Sequence, residues 1–269
     1  MRVLAVTNLF PNPLQPQRAP FNLQQLRSLA ALHEVRVIAP IAWTGEWMAG
    51  AGRAMPSDRR VVRDGMVVEH PRYLFTPRVL RGMYGRFFMH SIAATFSAAI
   101  AELRPDVVLG CWAYPDGWAA VRLARGAGIP VAVKVHGSDL LTVQRGSVRE
   151  RRAAEALVDA DGVIAVSDDL RSRAVALGAR NERVHLVRNG VDTALFAPGD
   201  GAAARESLGI ERDAELVLFV GNLVAVKGPD ILMRAFARLA HQRPRLRCAF
   251  VGAGPLEGRL RALAGREWL

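Results

Sequence analysis

His136 is a side chain whose type and position in this 269-residue sequence could carry acid–base chemistry. It directly follows an apolar run, Val131–Val135, and precedes Gly137 and Asp139. A histidine there could act as a general acid or base, bind the hydroxyl group of a sugar, or be an ordinary hydrogen-bonded loop residue. Its place at the end of a predicted strand favours a functional role.

Lys227 and the following Gly228 form a second candidate site, suited to binding a phosphate group. Lys227 stands at the predicted start of a helix, where an ammonium group is unfavourable unless an anion shares the site. It is also one of two lysines among 36 Lys and Arg residues, so the chain otherwise uses arginine. Lys134, the other lysine, qualifies on the same grounds, but it lies inside a predicted strand and could simply extend its side chain to solvent.

Polar residues and glycines also follow the other predicted strands. These residues are Asn8, Phe10 and Pro11 after the first strand, then Asn189, Gly190 and Asp192, then Gly221 and Asn222, and finally Gly252 and Gly254. In an open parallel sheet, ligands bind beyond the carboxyl ends of the strands, so we expect these residues at one edge of the sheet. The glycines from Gly252 onward lack the spacing of a dinucleotide fingerprint, which argues against a nicotinamide site.

The elements that must position these residues alternate between short apolar strands and helices. The predicted strands are Val3–Thr7, Glu34–Ala39, Asp106–Gly110, Val131–Val135, Gly162–Val166, Val184–Val187, Leu216–Gly221 and Leu246–Gly252. Helices are predicted after most of them, and Asp64-Gly65 predicts a hairpin between residues 60–63 and 66–69. This alternation indicates an α/β fold with a parallel sheet covered on both faces. Pro198–Gly201 then predicts a boundary between domains of residues 1–196 and 197–269.

Composition and charge limit the class of protein. Hydrophobic residues make up 51% of the chain, which is enough for a large core, and the net charge is +11. Eight arginines and three acidic residues lie within Arg53–Arg86, a surplus that suits an anionic membrane surface, an anionic substrate or nucleic acid, or that simply reflects an arginine-rich genome. No nucleic-acid-binding motif accompanies it, so nucleic acid is not an expected partner. The two cysteines, Cys111 and Cys248, cannot form a disulfide framework or a CxxC zinc site, and no signal peptide or membrane-spanning segment is predicted.

Taken in order, these segments resemble the GT-B glycosyltransferases of family 4, the group-1 type. The matching segments are Phe10-Pro11 with Phe21, His136-Gly137-Ser138-Asp139, Val166-Ser167, Val187–Asp192 with Phe196 and Pro198, Gly221-Asn222-Leu223 with Lys227-Gly228, and Val251–Leu256. They cover the whole chain. The first domain is most similar to the bacterial surface-polysaccharide enzymes of the teichuronic-acid type.

The resemblance implies two facing Rossmann-like domains, an acceptor-side N-terminal domain and a nucleotide-sugar-binding C-terminal domain that is incomplete in this chain. It implies a retaining glycosyltransferase that moves a sugar from a nucleotide-sugar donor to a cell-surface glycan or lipid-linked acceptor, without a metal or other cofactor. The protein would then be cytoplasmic, and the basic segment Arg53–Arg86 would attach it to the inner face of the cell membrane.

The resemblance also implies a role for each matching residue. His136 would be the catalytic residue that contacts the donor sugar near the reaction centre. The donor diphosphate would be bound by Gly221, Asn222, Lys227 and Gly228, the donor cleft would include Gly137, Asp139, Asn189, Gly190, Asp192, Gly252 and Gly254, and the acceptor loop would include Asn8, Phe10, Pro11 and Phe21. A cation such as Lys227 stabilises the negative charge that develops on a diphosphate leaving group.

Two departures from the family pattern concern activity. Asn222 stands where the family usually has arginine, so one of two expected diphosphate-binding cations is missing. The family's Glu-x7-Glu segment, which holds the nucleotide ribose and the donor sugar, would lie beyond residue 269, so we expect a truncated donor domain. The alternative function is a non-catalytic acceptor- or membrane-binding module. A third is a Rossmann enzyme that uses NAD or modifies nucleotide sugars, which the glycine spacing disfavours.

Overall fold

The computed structural model describes residues 1–49, 55, 57–76 and 80–264. The chain forms two compact units: unit 1 is Met1–Val191, and unit 2 begins at Asp192. The predicted boundary, after residue 196, lies slightly further along the chain. Asp192 begins a turn in which its carboxylate accepts hydrogen bonds from the backbone N–H groups of Ala194 and Leu195 at 3.1 and 3.2 Å, which ties it to the residues that follow.

Unit 1 is built around a mostly parallel sheet. Its strands are β1 (Arg2–Val6), β2 (Glu34–Ile38), β3 (Ile41–Ala42), β4 (Arg60–Arg63), β5 (Met66–Glu69), β6 (Arg72–Tyr73), β7 (Val107–Cys111), β8 (Val131–Val135), β9 (Gly162–Ala165) and β10 (Val184–Leu186). Eight of the described strands form one sheet in the order β10–β9–β8–β7–β1–β2–β5–β4, in which β4 alone is antiparallel to its neighbour. Strands β3 and β6 form a separate parallel pair. The predicted α/β class with a Rossmann-like parallel sheet is confirmed.

The strand order places a topological switch point between β1 and β7. β1 pairs in parallel with β2 on one side and with β7 on the other, where Val6 lies opposite Gly110. The chain leaves β1 toward β2, and after β7 it continues outward through β8, β9 and β10. Ligands of open α/β sheets bind beyond the carboxyl ends of the strands at such a point.

Helices cover both faces of this sheet. They are α1 (Pro20–Ala30), α2 (Trp43–Ala49), α3 (Tyr84–Leu103), α4 (Trp118–Gly126), α5 (Val148–Asp159) and α6 (Asp168–Ala176). On one face, Leu26 of α1 packs in a core cluster with Val3 and Val37. On the other face, Phe88 of α3 packs in a cluster with Leu4. Val3 and Leu4 are consecutive residues of β1, so their side chains point to opposite faces and each face needs its own cover.

Local sequence signals explain several element boundaries in unit 1. The hydroxyl oxygens of Ser147 and Ser167 accept the backbone N–H groups at the third position of α5 and α6, at 3.1 and 3.3 Å, as N-cap residues do. Asp64 and Gly65 have φ values of 48° and 77°, the left-handed conformation that a two-residue hairpin requires. The predicted hairpin is confirmed as the antiparallel pair β4–β5.

Unit 2 contains a parallel pair of strands, β11 (Glu215–Val220) and β12 (Leu246–Val251), with helices α7 (Gly201–Ser207), α8 (Pro229–Ala240) and α9 (Glu257–Ala264). Helices α8 and α9 bury one face of the pair, where Met233, Phe236 and Leu260 form a core. On the other face, the directly paired Val220 and Val251 are 70% and 56% exposed. Each apolar strand is therefore covered on one side.

Helices α2 and α7 and the strand pair β3–β6 are not predicted from the sequence. Each spans seven residues or fewer, which is too short for a hydrophobic period to be recognised in the sequence. Helix α3 begins at Tyr84, directly after residues 81–83, which form a single tighter turn.

Candidate functional site

Three loops of unit 1 meet at the carboxyl edge of the sheet, after β1, β7 and β8. The hydroxyl group of Thr7 donates a hydrogen bond to the carbonyl oxygen of Cys111 at 3.2 Å, which joins the first loop to the end of β7. The backbone N–H of Ala113 donates to the carboxylate of Asp139 at 3.2 Å, which joins the second loop to the third. The third loop carries His136, so these bonds bring the predicted catalytic residue beside the switch point.

The imidazole ring of His136 lies against two aromatic side chains. Its centroid is 5.0 Å from that of Phe21 on α1 and 6.1 Å from that of Trp112, whose ring is stacked on it with 24° between the planes. Both ring nitrogens are buried, and neither makes a hydrogen bond with any residue that the structure describes. Burial, aided by the charge of Lys134, lowers the pKa of His136 to about 3, so the ring is neutral at pH 7. Because its donor and its acceptor have no partner among the described residues, the structure favours a functional role for His136 over that of a hydrogen-bonded loop residue.

Asp139 organises the loop that carries His136. It is 1% exposed, and its carboxylate accepts the backbone N–H groups of His136 and Gly137 at 3.1 and 2.8 Å, besides that of Ala113. Gly137 has φ of 144°, a conformation that favours glycine. Burial raises the pKa of Asp139, and the three backbone bonds oppose that rise. The sequence predicts that Asp139 lines the donor cleft. In the structure its carboxylate bonds to the backbone of its own loop and of residue 113, and these bonds position His136.

Lys134 is buried, contrary to the expectation that its side chain extends to solvent. It is 1% exposed, and its ammonium group donates to the side-chain oxygens of Gln25 on α1 and Asn189, the latter at 2.9 Å. Burial lowers its pKa. Lys134 of β8 and His136, the residue after β8, lie on the same face of the sheet. Phe21 and Gln25 share one face of α1, so the helix contacts this segment at two points. Asn189, predicted in the donor cleft, is thereby a partner of this buried lysine.

The predicted acceptor loop after β1 is only partly exposed. Phe10 is 1% exposed in the core cluster beneath α1, and Pro11 is buried as well. Their assignment to acceptor contact is corrected, because both side chains are buried and Phe10 packs in the core. Asn8 is half-buried and donates its backbone N–H to Asp116, whereas Phe21 is 39% exposed beside His136. Phe21 is the side chain of this set that faces solvent next to the imidazole.

Asp116 is a site residue absent from the sequence-based predictions. It is fully buried, one carboxyl oxygen accepts the N–H of Asn8, and the other has no partner among the described residues. Burial raises the pKa of Asp116 to about 8. The available signal was the segment Tyr114–Gly117 directly after β7, but Pro-Asp-Gly is also the ordinary composition of an exposed turn.

In unit 2, the predicted diphosphate-binding residues occupy the loop between β11 and α8. Gly221 has φ of 151°, and Gly228, the residue before α8, has φ of 69°. Asn222 and Lys227 are exposed on this loop, and Lys227 ends a short turn of residues 225–227. The first turn of α8 already holds a carboxylate, Asp230, which pairs with an arginine one turn later at 3.2 Å. The first turn of α8 therefore already contains a negatively charged side chain, Asp230. Lys227 lies outside the helix, separated from Pro229 by Gly228.

Gly252 and Gly254 have a packing role in unit 2. A Cβ on Gly252 would clash with the carbonyl oxygen of Gly221, and one on Gly254 would lie 2.5 Å from that of Leu223. The two loops are also bonded through their backbones, since the N–H of Gly221 donates to Val251 and that of Leu223 to residue 253, each at 2.9 Å. These glycines, predicted in the donor cleft, let the loops after β11 and β12 approach closely. Of the other predicted cleft residues, Gly190 is exposed at the end of unit 1 and Asp192 forms the first turn of unit 2.

Three further observations concern the kind of site. Among the described residues, no three His, Cys, Asp or Glu side chains are arranged to hold a metal ion. Within the same residues, no helix has both the length and the apolar character needed to cross a bilayer. Cys111 is a buried free thiol whose pKa burial raises to about 12, so it is unsuited to act as a nucleophile.

Solved structures of other proteins share this fold. The Anabaena protein HepE, crystallised with UDP, superposes with a TM-score of 0.66 and 17% identity over 96% of this chain and 63% of HepE. UDP-GlcNAc 2-epimerase from Neisseria meningitidis, bound to UDP-GlcNAc, superposes with a TM-score of 0.56 and 14% identity over 98% of this chain and 69% of the epimerase. At these identities the likeness establishes the GT-B type of fold.

Comparisons of sequence identify the family. D-inositol 3-phosphate glycosyltransferase 1 of Catenulispora acidiphila is 35% identical over 213 residues, which are 74% of this chain and 49% of the relative. The enzyme of the same name from Nocardiopsis dassonvillei is 31% identical over 227 residues, or 76% of this chain and 52% of the relative. The chain thus spans about half the length of these curated relatives. The family model "Glycosyl transferases group 1" matches residues 200–267, and "Glycosyltransferase Family 4" matches residues 19–195, so the chain belongs to Glycosyltransferase Family 4.

Proposed function

We propose that the protein transfers a sugar, with retention of configuration, from a nucleotide-sugar donor to a cell-surface glycan or a lipid-linked acceptor. The observation that carries this proposal is the imidazole of His136. It is neutral, its donor and acceptor have no partner in the described part of the chain, and it lies beside the partly exposed ring of Phe21 at the carboxyl edge of the sheet. Both ring nitrogens are buried beside Phe21 and Trp112, so a sugar hydroxyl would reach them only after one of these rings moves. A neutral imidazole can then bond to the hydroxyl without adding charge, and an aromatic ring can pack against the apolar face of a sugar. Membership of the family supports the same conclusion.

The donor belongs to unit 2 in this proposal. The exposed ammonium of Lys227, next to the left-handed Gly228 and the start of α8, is placed to bind a diphosphate and stabilise it as a leaving group. HepE was crystallised with UDP and with UDP-glucose, which supports a uridine nucleotide as the first donor to test. We propose that no metal ion or other cofactor takes part, because the ammonium itself supplies the positive charge.

The acceptor belongs to unit 1, and we propose that the protein meets it in the cytoplasm at the inner face of the cell membrane. Trp47 and Met48 on α2 are 80% and 78% exposed, as side chains that insert between lipid headgroups would be. The surface-polysaccharide enzymes of the teichuronic-acid type, which the first domain resembles, suggest a lipid-linked glycan as the acceptor.

The arginines of this region provide less charge than the sequence alone implies. Arg59 and Arg72 both pair with Glu46 of α2, the second at 2.6 Å, and Arg60 pairs with a glutamate of α3 at 3.4 Å. Arg53 and Arg78 lie outside the described residues. Membrane attachment through Arg53–Arg86 would therefore depend on apolar contact by α2 together with the unpaired part of the charge.

Transfer of radiolabelled sugar from UDP- and GDP-sugars to lipid-linked and soluble glycans tests the proposal, with calorimetry for donor binding. The proposed role of His136 predicts that His136→Ala lowers kcat/KM about a hundredfold relative to the wild-type chain. His90→Ala, at an exposed histidine of α3, is the matched control. Acceptor or vesicle binding without donor binding or transfer would favour the non-catalytic binding module, for which the missing cation at Asn222 is the supporting observation.

A further inference from the structure

Asp116 is a buried acid whose contact crosses the switch point of the sheet. Asn8, which follows β1, donates its backbone N–H to Oδ1 of Asp116, which follows β7. The residue is 0% exposed, and Oδ2 has no partner among the described residues. A buried polar atom without a partner costs free energy, so a role is expected for it.

The loop that Asp116 contacts is also fixed from the opposite side. The guanidinium Nε of Arg18 donates to the carbonyl oxygen of Asn8 at 2.8 Å, and the side-chain amide of Asn22 donates to that of Leu9 at 2.8 Å. Both donors belong to the segment between β1 and the first turns of α1. The carboxyl group of Asp116 ties the Asn8 amide to the β7 side, one residue beyond the Thr7–Cys111 bond, so the two contacts together fix this loop relative to His136 and Trp112.

The charge state of Asp116 follows from its surroundings. The charged or titratable groups that face it are Arg18, Asp139, Tyr73, Tyr84 and Cys111. Burial is the largest influence and raises the pKa of Asp116 to about 8, the N–H of Asn8 and the charge of Arg18 oppose it, and Asp139 adds to it. Burial also raises the pKa of the phenol and thiol groups, so they stay uncharged. Asp116 is therefore a neutral acid at pH 7.

We propose that Asp116 is a positioning residue which, beneath the switch point, holds the loop after β1 in place beside His136. This role rests on the proposed function, in which His136 binds a sugar hydroxyl. A neutral carboxyl accepts the Asn8 N–H through one oxygen and adds no charge to the core. Once ionised, it places a charge there without an ion pair among the described residues, which the structure relieves by opening around it.

Hydrogen exchange at the Asn8 amide tests this role in the complete 269-residue chain, compared between wild type, Asp116→Asn and Asp116→Ala. Asparagine keeps an oxygen acceptor and cannot ionise, whereas alanine removes the acceptor. Asp161→Asn is the matched control, because the carboxylate of Asp161 accepts the N–H of Val131 at 2.9 Å at the opposite edge of the same sheet. The protection factor, which corrects for the intrinsic pH dependence of exchange, is measured from pH 6 to pH 9.

We expect protection of the Asn8 amide to fall about tenfold in Asp116→Ala at pH 7, the effect of losing a hydrogen bond of about 1.4 kcal/mol. In the wild type, protection of the Asn8 amide should fall between pH 7 and pH 9. At pH 7, Asp116→Asn and Asp161→Asn should protect this amide as well as the wild type does. In Asp116→Asn the protection should also stay constant from pH 7 to pH 9. Equal protection in wild type and Asp116→Ala, or the same fall with pH in Asp116→Asn, would overturn the role. If Asp116→Ala does not fold, the pH comparison with Asp116→Asn decides.

Sugar transfer measured on the same samples separates the two proposals. Absence of transfer by wild type with the expected exchange pattern refutes the proposed function and leaves the loop anchored as described. Transfer by wild type without the exchange pattern refutes the role of Asp116. Where both hold, kcat/KM of wild type should decline relative to Asp116→Asn as the pH rises through about 8.

Discussion

Replacement of Asp116 by asparagine should stabilise unit 1 at neutral pH by an amount that depends on pH. The pKa of Asp116 is about 8 in the folded protein, against an ordinary value of 3.8. Between these values the folded state binds one more proton than the unfolded state, so the free energy of unfolding of the wild type falls by about 1.4 kcal/mol per pH unit. This group's favourable contribution is complete below pH 3.8 and is lost as the pH rises through about 8. At pH 7 the accumulated loss is on the order of 4 kcal/mol, which Asp116→Asn avoids.

Urea unfolding at pH 5, 6, 7 and 8 measures this difference. Tryptophan fluorescence reports mainly on unit 1, because four of the five tryptophans lie in it, namely Trp43, Trp47, Trp112 and Trp118. The gain of Asp116→Asn over wild type should grow by about 1.4 kcal/mol with each pH unit and level off above pH 8. A gain that is the same at every pH, or that shrinks as the pH rises, would show that the carboxyl is ionised in the folded state.

Other parts of the structure give three further predictions. Lys227→Arg should lower donor-dependent kcat/KM about tenfold, or 1.4 kcal/mol, because a planar guanidinium does not replace a compact ammonium; unchanged values in both Lys227→Arg and Lys227→Ala would remove Lys227 from the site. Gly252→Ala should destabilise unit 2 by about 3 kcal/mol, because the new Cβ clashes with the carbonyl oxygen of Gly221 and the residue has a positive φ. Gly258→Ala is the control and should be neutral or slightly stabilising, because its Cβ would meet nothing within 4 Å. Equal melting temperatures for the two variants would contradict the close approach of the two loops. Trp47→Ser should reduce sedimentation with anionic vesicles several-fold and leave the salt dependence in place, and equal sedimentation with neutral and anionic vesicles would leave the arginines without a membrane role.

The sheet could be predicted from the sequence because its strands carry a strong signal. Parallel strands buried on both faces are nearly continuous apolar runs, and the hairpin at Asp64-Gly65 has a turn with few alternatives. The positions of His136 at a strand end and of Lys227 before a helix followed directly from those runs. Helix α2 could not be found in this way, because seven residues show no period.

The surroundings of the site residues could not be predicted, because they depend on contacts between distant segments. Lys134 is buried by partners 109 and 55 residues away in the sequence. The neutrality of Asp116 depends on packing around it, and its partner Asn8 is 108 residues away. Phe10 shows the same limit, because an aromatic residue in a Pro-rich loop is equally compatible with a ligand contact and with a place in the core.

The net charge of a surface region is a second property that could not be predicted correctly from the sequence. The surplus of arginine within residues 53–86 was counted without Glu46, which precedes that window and pairs with two of its arginines. An acidic residue on a neighbouring helix can neutralise a basic segment that sequence order separates from it. Net charge within a window is therefore a weak guide to the field that the folded surface produces.

The two contacts between α1 and β8 restrict how the helix can move. A single contact would leave the helix free to roll about its own axis, whereas contacts one turn apart, from Phe21 to His136 and from Gln25 to Lys134, fix its rotation as well as its distance. Rolling α1 to open space beside the imidazole would pull the amide of Gln25 away from a buried ammonium. In the proposed function, the room available to a sugar at His136 would thus be coupled to a polar contact deeper in the protein, and a substitution of Gln25 would change that room without altering His136 or Phe21.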